Sequence, residues 1–94
     1  MTEETLTLEQ IQETIRVARD SVWVIESTIK ELDDGKTANS ERKGNIDRNV
    51  GHLKLVVGNP QISESSEDIS DLEAAITAGE AKLAEDIWPV DEEI

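Results

Sequence analysis

Three observations predict an all-α fold, built as a three-helix up-down-up bundle or as a long helical hairpin plus a third helix, with coiled-coil-like packing. First, apolar residues recur at Leu8, Ile11, Ile15, Ala18, Val22, Ile25, Ile29 and Leu32, with steps that alternate between three and four. That alternation is a coiled-coil register, and a helix carrying it must lay its seam against another helix. Second, Trp23 and Trp88 are the two aromatic residues of the chain, so the core is aliphatic and suits helix packing. Third, turn signals at Asp33-Asp34-Gly35 and Gly58-Asn59-Pro60 cut the chain into three segments of helical length.

The first helix is expected over about 8–33. Thr7 and Gln10 have the spacing of a capping box, and Glu9 adds negative charge where the helix dipole is positive. Gly35 is suited to the left-handed position that closes such a helix. A second stripe, Val17 and Val24 with the neighbouring Trp23, flanks the main seam and implies a second packing partner.

The second helix is expected over about 40–57, with Ile46, Val50, Leu53 and Val57 as its apolar positions, widened by Leu55 and Val56. Gly44 and Gly51 each weaken it by about 1 kcal/mol relative to alanine. The run Leu53 to Val57 has strand character, but no second strand candidate exists to pair with it. The third helix is expected over about 66–86, capped by Ser65 or Ser66. Ile62, Ile69, Ile76 and Leu83 fall seven apart, with Leu72 and Gly79 between them. Pro89 disfavours helix at Trp88, and residues 87–94 read as an acidic tail. Trp88 is expected to fold back over the open end of the bundle. Residues 1–94 are read as a single helical domain.

Composition narrows the function. The formal net charge is −13, distributed as −6 over residues 1–34, +3 over residues 35–60 and −10 over residues 61–94. Direct nucleic-acid or anionic-membrane binding is disfavoured by repulsion, and a basic protein partner is favoured. Cysteines are absent, which removes disulfides and thiolate metal sites. The stretch Met1–Thr7 is acidic and polar, unlike a signal peptide, and no apolar run reaches the roughly 20 residues of a membrane span. A cytoplasmic protein is expected, in a bacterial host if it is phage-encoded.

Catalysis is not expected, nor is a cofactor or a metal. His52 is the sole histidine and sits in mid-helix with no nucleophile elbow, phosphate loop or ligand cluster beside it. Asp33-Asp34-Gly35 lacks the closing glutamate of a calcium-binding loop.

The acidic residues of the third segment form the candidate binding surface: Glu64, Glu67, Asp68 and Asp71 at steps of one to three, with Glu73, Glu80 and Glu85 extending the charge. Carboxylates spaced along a helix about 5–6 Å apart imitate the phosphates of DNA, about one charge per 1.7 Å of axis. A solvated face that keeps a small protein soluble is the simpler explanation; the local excess of charge, which costs stability, weighs against it. Glu67, Asp68 and Asp71 are expected to project away from the Ile69, Leu72 and Ile76 seam and to contribute little to the core. The core or oligomer seam is assigned to Leu8, Ile11, Ile15, Val22, Ile25, Ile29, Leu32 and Trp23, and the apolar excess of helix 1 predicts a homodimer.

In size, acidity, helix content and lack of catalytic residues, the chain resembles the small acidic proteins that phages use to block host enzymes or defence systems. That resemblance implies an inhibitor occupying the basic, nucleic-acid-binding surface of a partner. The alternative is a coiled-coil homo-oligomer serving as a structural or assembly adaptor.

Overall fold

Helix α1 spans Leu8–Asp33, in a computed structural model that describes residues 5–89. Its start is a capping box: the Thr7 hydroxyl accepts from the Gln10 amide at 3.1 Å, and the Gln10 side chain accepts from the Thr7 amide at 2.9 Å. Its end is a Schellman turn. The Gly35 amide donates to the Leu32 carbonyl at 3.0 Å and the Lys36 amide to the Glu31 carbonyl at 2.9 Å, with Gly35 at φ 98°, where a side chain would clash.

The seam of α1 buries Ile15, Ala18, Val22 and Ile25, while Ile11, Ile29 and Leu32 are half-buried against the same core. Two seam assignments need correction. Leu8 is 59 % exposed, with Leu6 just ahead of it half-buried against the core at that end, and Trp23 is 68 % exposed. At 100° of rotation per residue, Trp23 lies well around the helix from Val22 and again from Val24. The flanking stripe is therefore not one face: Val17 is exposed, Val24 is half-buried, and Trp23 points elsewhere.

Helix α2 spans Ser40–Val57, capped by the Asn39 side chain, which accepts from the Arg42 amide at 2.8 Å. It buries Ile46, Val50, Leu53 and Val56; Val57 is half-buried and Leu55 is exposed. The segment Leu53 to Val57 is helical, and no strand occurs among the described residues.

The expected third helix is divided. A single turn, α3, spans Pro60–Ser63, and α4 spans Ser70–Leu83. Asn59 caps α3 by accepting from the Gln61 amide at 2.9 Å, and Pro60 occupies the first helical position, where its missing N–H costs nothing. The Ser65 hydroxyl donates to the Ile62 carbonyl at 2.6 Å instead of capping α4. The N-cap of α4 is Ile69, which makes no side-chain cap bond; one residue earlier Asp68 accepts from the Ser70 amide at 3.0 Å and the Ser70 hydroxyl at 2.7 Å. At the far end the Trp88 indole donates to the Lys82 carbonyl at 3.1 Å and rests half-buried on the core, so Trp88 folds back over the end of α4. Residues 90–94 of the expected tail lie outside the described residues.

Helices α1, α2 and α4 pack against one another, and α3 touches α1 and α2. The core holds Ile15, Ile25, Ile46, Leu53, Ile62 and Leu72, all fully buried. Gly79 marks the closest approach of the three long helices. A Cβ there would run into Val50 and sit 3.3 Å from Ile46 Cγ2 and 3.5 Å from Ile25 Cγ2. No helix among the described residues is long and apolar enough to cross a membrane.

Candidate functional site

The acidic residues of the third segment do not form one row. Glu64 and Glu67 sit in the turn between α3 and α4, and Asp68 immediately precedes α4. Within α4, Asp71 and Glu80 are nine residues apart, half a rotation at 100° per residue, so they occupy opposite edges. Each edge meets a base from a neighbouring helix. Arg19 of α1 donates to the Asp71 carboxylate at 2.8 Å and to the Asp68 carbonyl at 3.1 Å. On the other edge Lys54 of α2 pairs with Glu80.

Lys82 joins two acids, Asp33 of α1 at 3.3 Å and Glu85 at 3.2 Å, and its side chain is only 13 % exposed. Gln12 donates to Glu67 at 3.4 Å. Five of the seven assigned carboxylate residues, Glu67, Asp68, Asp71, Glu80 and Glu85, thus have bonds within the chain. The carboxylates of Glu64 and Glu73 are exposed and bond to no side chain among the described residues.

The protonation equilibria follow the contacts. The hydrogen bond that Arg19 donates to Asp71 raises the guanidinium above its ordinary value, reinforced by the charge of the same carboxylate. Hydrogen bonds from the Ser70 amide and then its hydroxyl lower Asp68. Lys82 is raised by its bond to Glu85, against some desolvation, and further by Asp33. On the outside of α1, the hydrogen bonds donated by Arg16 lower Glu13. Each of these shifts favours the charged form of its group.

The expectation that Glu67, Asp68 and Asp71 stand apart from the fold is therefore corrected. Asp68 holds Ser70 at the start of α4, and Asp71 ties α4 to α1. The bases that hold these acids are Arg19, Lys54 and Lys82, set among acids on the flanks of apolar seams. Their sequence signal is position: Arg19 lies four residues after Ile15, and Lys54 and Lys82 each adjoin a core or seam leucine.

Other constellations are surface features. His52 is exposed in mid-α2. Asp34 pairs with Lys30 at 2.9 Å and Asp33 with Lys82. Among the described residues no group of three histidine or acidic side chains is placed to hold a metal ion. A hollow of about 540 Å³ is an open depression along the first turns of α1 lined by Leu6, Glu9, Gln10, Glu13 and Thr14.

What remains is surplus negative charge. Glu9, Asp20, Glu26, Glu64, Glu73 and Asp86 are exposed and pair with no cation among the described residues. No known protein family, curated protein or solved structure matches this chain.

Proposed function

We propose that this chain is an acidic helical interaction protein, acting as an inhibitor of the phage type by occupying a basic, nucleic-acid-binding surface on a partner protein. The observation that carries the reading is the set of exposed carboxylates without an ion pair, Glu64 at the end of α3, Glu73 in the first turn of α4 and Glu26 on α1. Such groups gain most from meeting a basic surface, and they raise the association rate. The paired residues Asp68, Asp71, Glu80 and Glu85 then serve as the frame that holds the free carboxylates in place.

The helix order consistent with this reading is up-down-up. Leu6, ahead of α1, donates to Gln61 beyond α2, and Glu31 near the end of α1 pairs with Arg42 in the first turn of α2 at 3.0 Å. Arg19–Asp71 and Asp33–Lys82 follow the same order along α1 and α4. The alternating seam of α1 favours coiled-coil-like contacts within that arrangement.

The test is affinity capture from a bacterial lysate with graded salt, followed by competition. The reading requires a basic protein that is released as salt rises, is displaced by DNA or RNA, and is lost when Glu64 and Glu73 are reversed to lysine. A partner that binds nucleic acid and this chain together would end it. A second reading, a self-associating structural adaptor, is favoured by one observation: Leu55 is 78 % exposed on the outside of α2.

A further inference from the structure

The flank of α1 that faces away from the core carries an indole standing in water beside a carboxylate that has no cation. Trp23 is 68 % exposed. Glu26, three residues on and exposed, makes no ion pair or side-chain hydrogen bond among the described residues. Residues three apart on a helix stand about 5–6 Å from each other, so one group can touch both. Two bridges to α4 bound the site, Arg19 to Asp71 at 2.8 Å and Lys82 to Asp33 at 3.3 Å. Between them, the edge of α4 that carries Asp71 and Lys82 offers Ala74 and Ala78, both exposed. Methyl groups at those positions put no long side chain between the indole and solvent on that side.

We infer that Trp23 and Glu26 form a receptor for an arginine of a basic partner protein, its guanidinium lying on the face of the indole and donating to the Glu26 carboxylate. The inference rests on the acidic-surface reading and names the side chain that such a partner must present.

Charge and shape select the occupant. An apolar side chain over Trp23 would strip water from Glu26 and give it nothing in return. A cation gains from the negative face of the ring and from the carboxylate together. Arginine fits better than lysine, because its planar guanidinium stacks flat on an aromatic face and still presents N–H donors at its edge. The chain's own bases do not fill this place. Arg19, one turn before Trp23, is turned to α4, where it donates to the Asp71 carboxylate and the Asp68 carbonyl. Arg16 donates to Glu13 and also feels the charge of Asp20. Lys30, one turn beyond Glu26, reaches onward to Asp34 at 2.9 Å. Each of these cations already has its carboxylate, and Glu26 is left over. The net charge of −13 draws a basic partner toward it.

The test is titration of the chain with blocked hexapeptides of arginine, of lysine and of citrulline, the uncharged analogue of arginine. Nuclear magnetic resonance follows the two indole N–H signals and the α1 amides, with far-ultraviolet circular dichroism as the control for folding. Hexa-arginine is expected to bind, moving the Trp23 signal and leaving that of Trp88, which is held by the Lys82 carbonyl. Hexa-lysine is expected to bind more weakly, and hexa-citrulline not at all. Trp23→Leu and Glu26→Gln are both expected to keep wild-type helicity, since these side chains are exposed, and each to weaken hexa-arginine binding about fivefold. An affinity unchanged in either variant overturns the receptor. If that affinity falls instead when Glu64 and Glu73 are reversed to lysine, the acidic-surface reading stands without it. A Trp23 signal moved equally by hexa-lysine overturns the assignment to arginine. Hexa-arginine bound no more tightly than hexa-citrulline overturns the receptor and the acidic-surface reading together.

Discussion

Gly79 and Val50 meet with no room for a side chain between them: a Cβ on the glycine would enter the space of the valine Cγ2, with Ile46 and Ile25 immediately behind. The contact joins α4 to α2 and α1 at once, and a hydrogen atom is the largest group that fits. Gly79→Ala sets two effects against each other. Helix propensity gains about 1 kcal/mol, and overpacking a tight core costs about 1–3 kcal/mol. Three elements must shift together, so the loss wins. We expect the variant to be destabilised by about 1–2 kcal/mol, with the midpoint of thermal unfolding lowered by several degrees, measured by circular dichroism.

Two other glycines should respond with opposite signs. Gly35, at φ 98°, ends α1 in the left-handed region, and Gly35→Ala is expected to cost about 1–2 kcal/mol. Gly51 lies in mid-helix with open space around it, and Gly51→Ala is expected to add about 1 kcal/mol. Chemical denaturation of both, each in the Leu55→Glu background to exclude self-association, would show the opposite shifts. Equal shifts would contradict the geometry.

Ile25 and Leu8 belong to the same heptad pattern but not to the same environment. Ile25 is fully buried, whereas Leu8 is exposed. Ile25→Asp places an uncompensated carboxylate in the core, a cost of several kcal/mol that exceeds the stability of most domains of this size. Leu8→Asp adds negative charge to the first turn of α1 and is expected to leave stability within about 0.5 kcal/mol of wild type. Loss of helicity in the first variant and its retention in the second are the outcomes to measure.

Asp68 gives a pH signature. Hydrogen bonds from Ser70 hold its carboxyl below the ordinary 3.8. A depressed carboxyl contributes stability that is present above the unfolded value and is lost as pH falls through the folded value. The start of α4 is therefore expected to fray in acid, below the ordinary aspartate range. Nuclear magnetic resonance titration of Asp68 checks this directly: Ser70→Ala removes the hydroxyl donor, leaves the amide, and should move the titration part of the way back. A midpoint unmoved by that change would sink the assignment.

Lys82 behaves in the reverse sense. Glu85 and Asp33 hold it above the ordinary 10.5, so its contribution is present below that value and is lost as pH rises through the folded one. Lys82→Met keeps most of the side-chain packing and removes the charge. We expect its stability deficit to vanish at strongly alkaline pH, which paired denaturation curves at neutral and high pH would reveal.

What was legible in the sequence was local. Thr7 and Gln10 cap α1 through three residues of separation, Gly35 closes it, and the alternating seam places Ile15, Val22 and Ile25 inside. Each depends on neighbours along one helix. The seven-residue spacing of Ile62, Ile69, Ile76 and Leu83 misled in one respect: Ile62 and Ile69 are both buried, but on α3 and at the cap of α4, with a turn between them. Periodicity counts positions and does not see that Asn59-Pro60 starts a helix of its own. Exposure of Trp23 follows from the helix rotation of about 100° per residue that turns it away from Val22; that of Leu8 was not legible, because it depends on Leu6 taking the place against the core at that end of α1. The same holds for the acidic surface. Spacing located the carboxylates of α4, but the bases that hold them, Arg19 and Lys54, lie far away in sequence and meet them only after folding.

The latch of Trp88 onto the Lys82 carbonyl makes the chain its own optical instrument. Its two indoles report from different surroundings, Trp23 standing in water and Trp88 resting on the core beyond α4. A soluble quencher reaches the first freely and the second only when the end of α4 lets go. Emission from Trp88 therefore times the release of that end without any label, and emission from Trp23 registers whatever comes to rest on the open flank of α1.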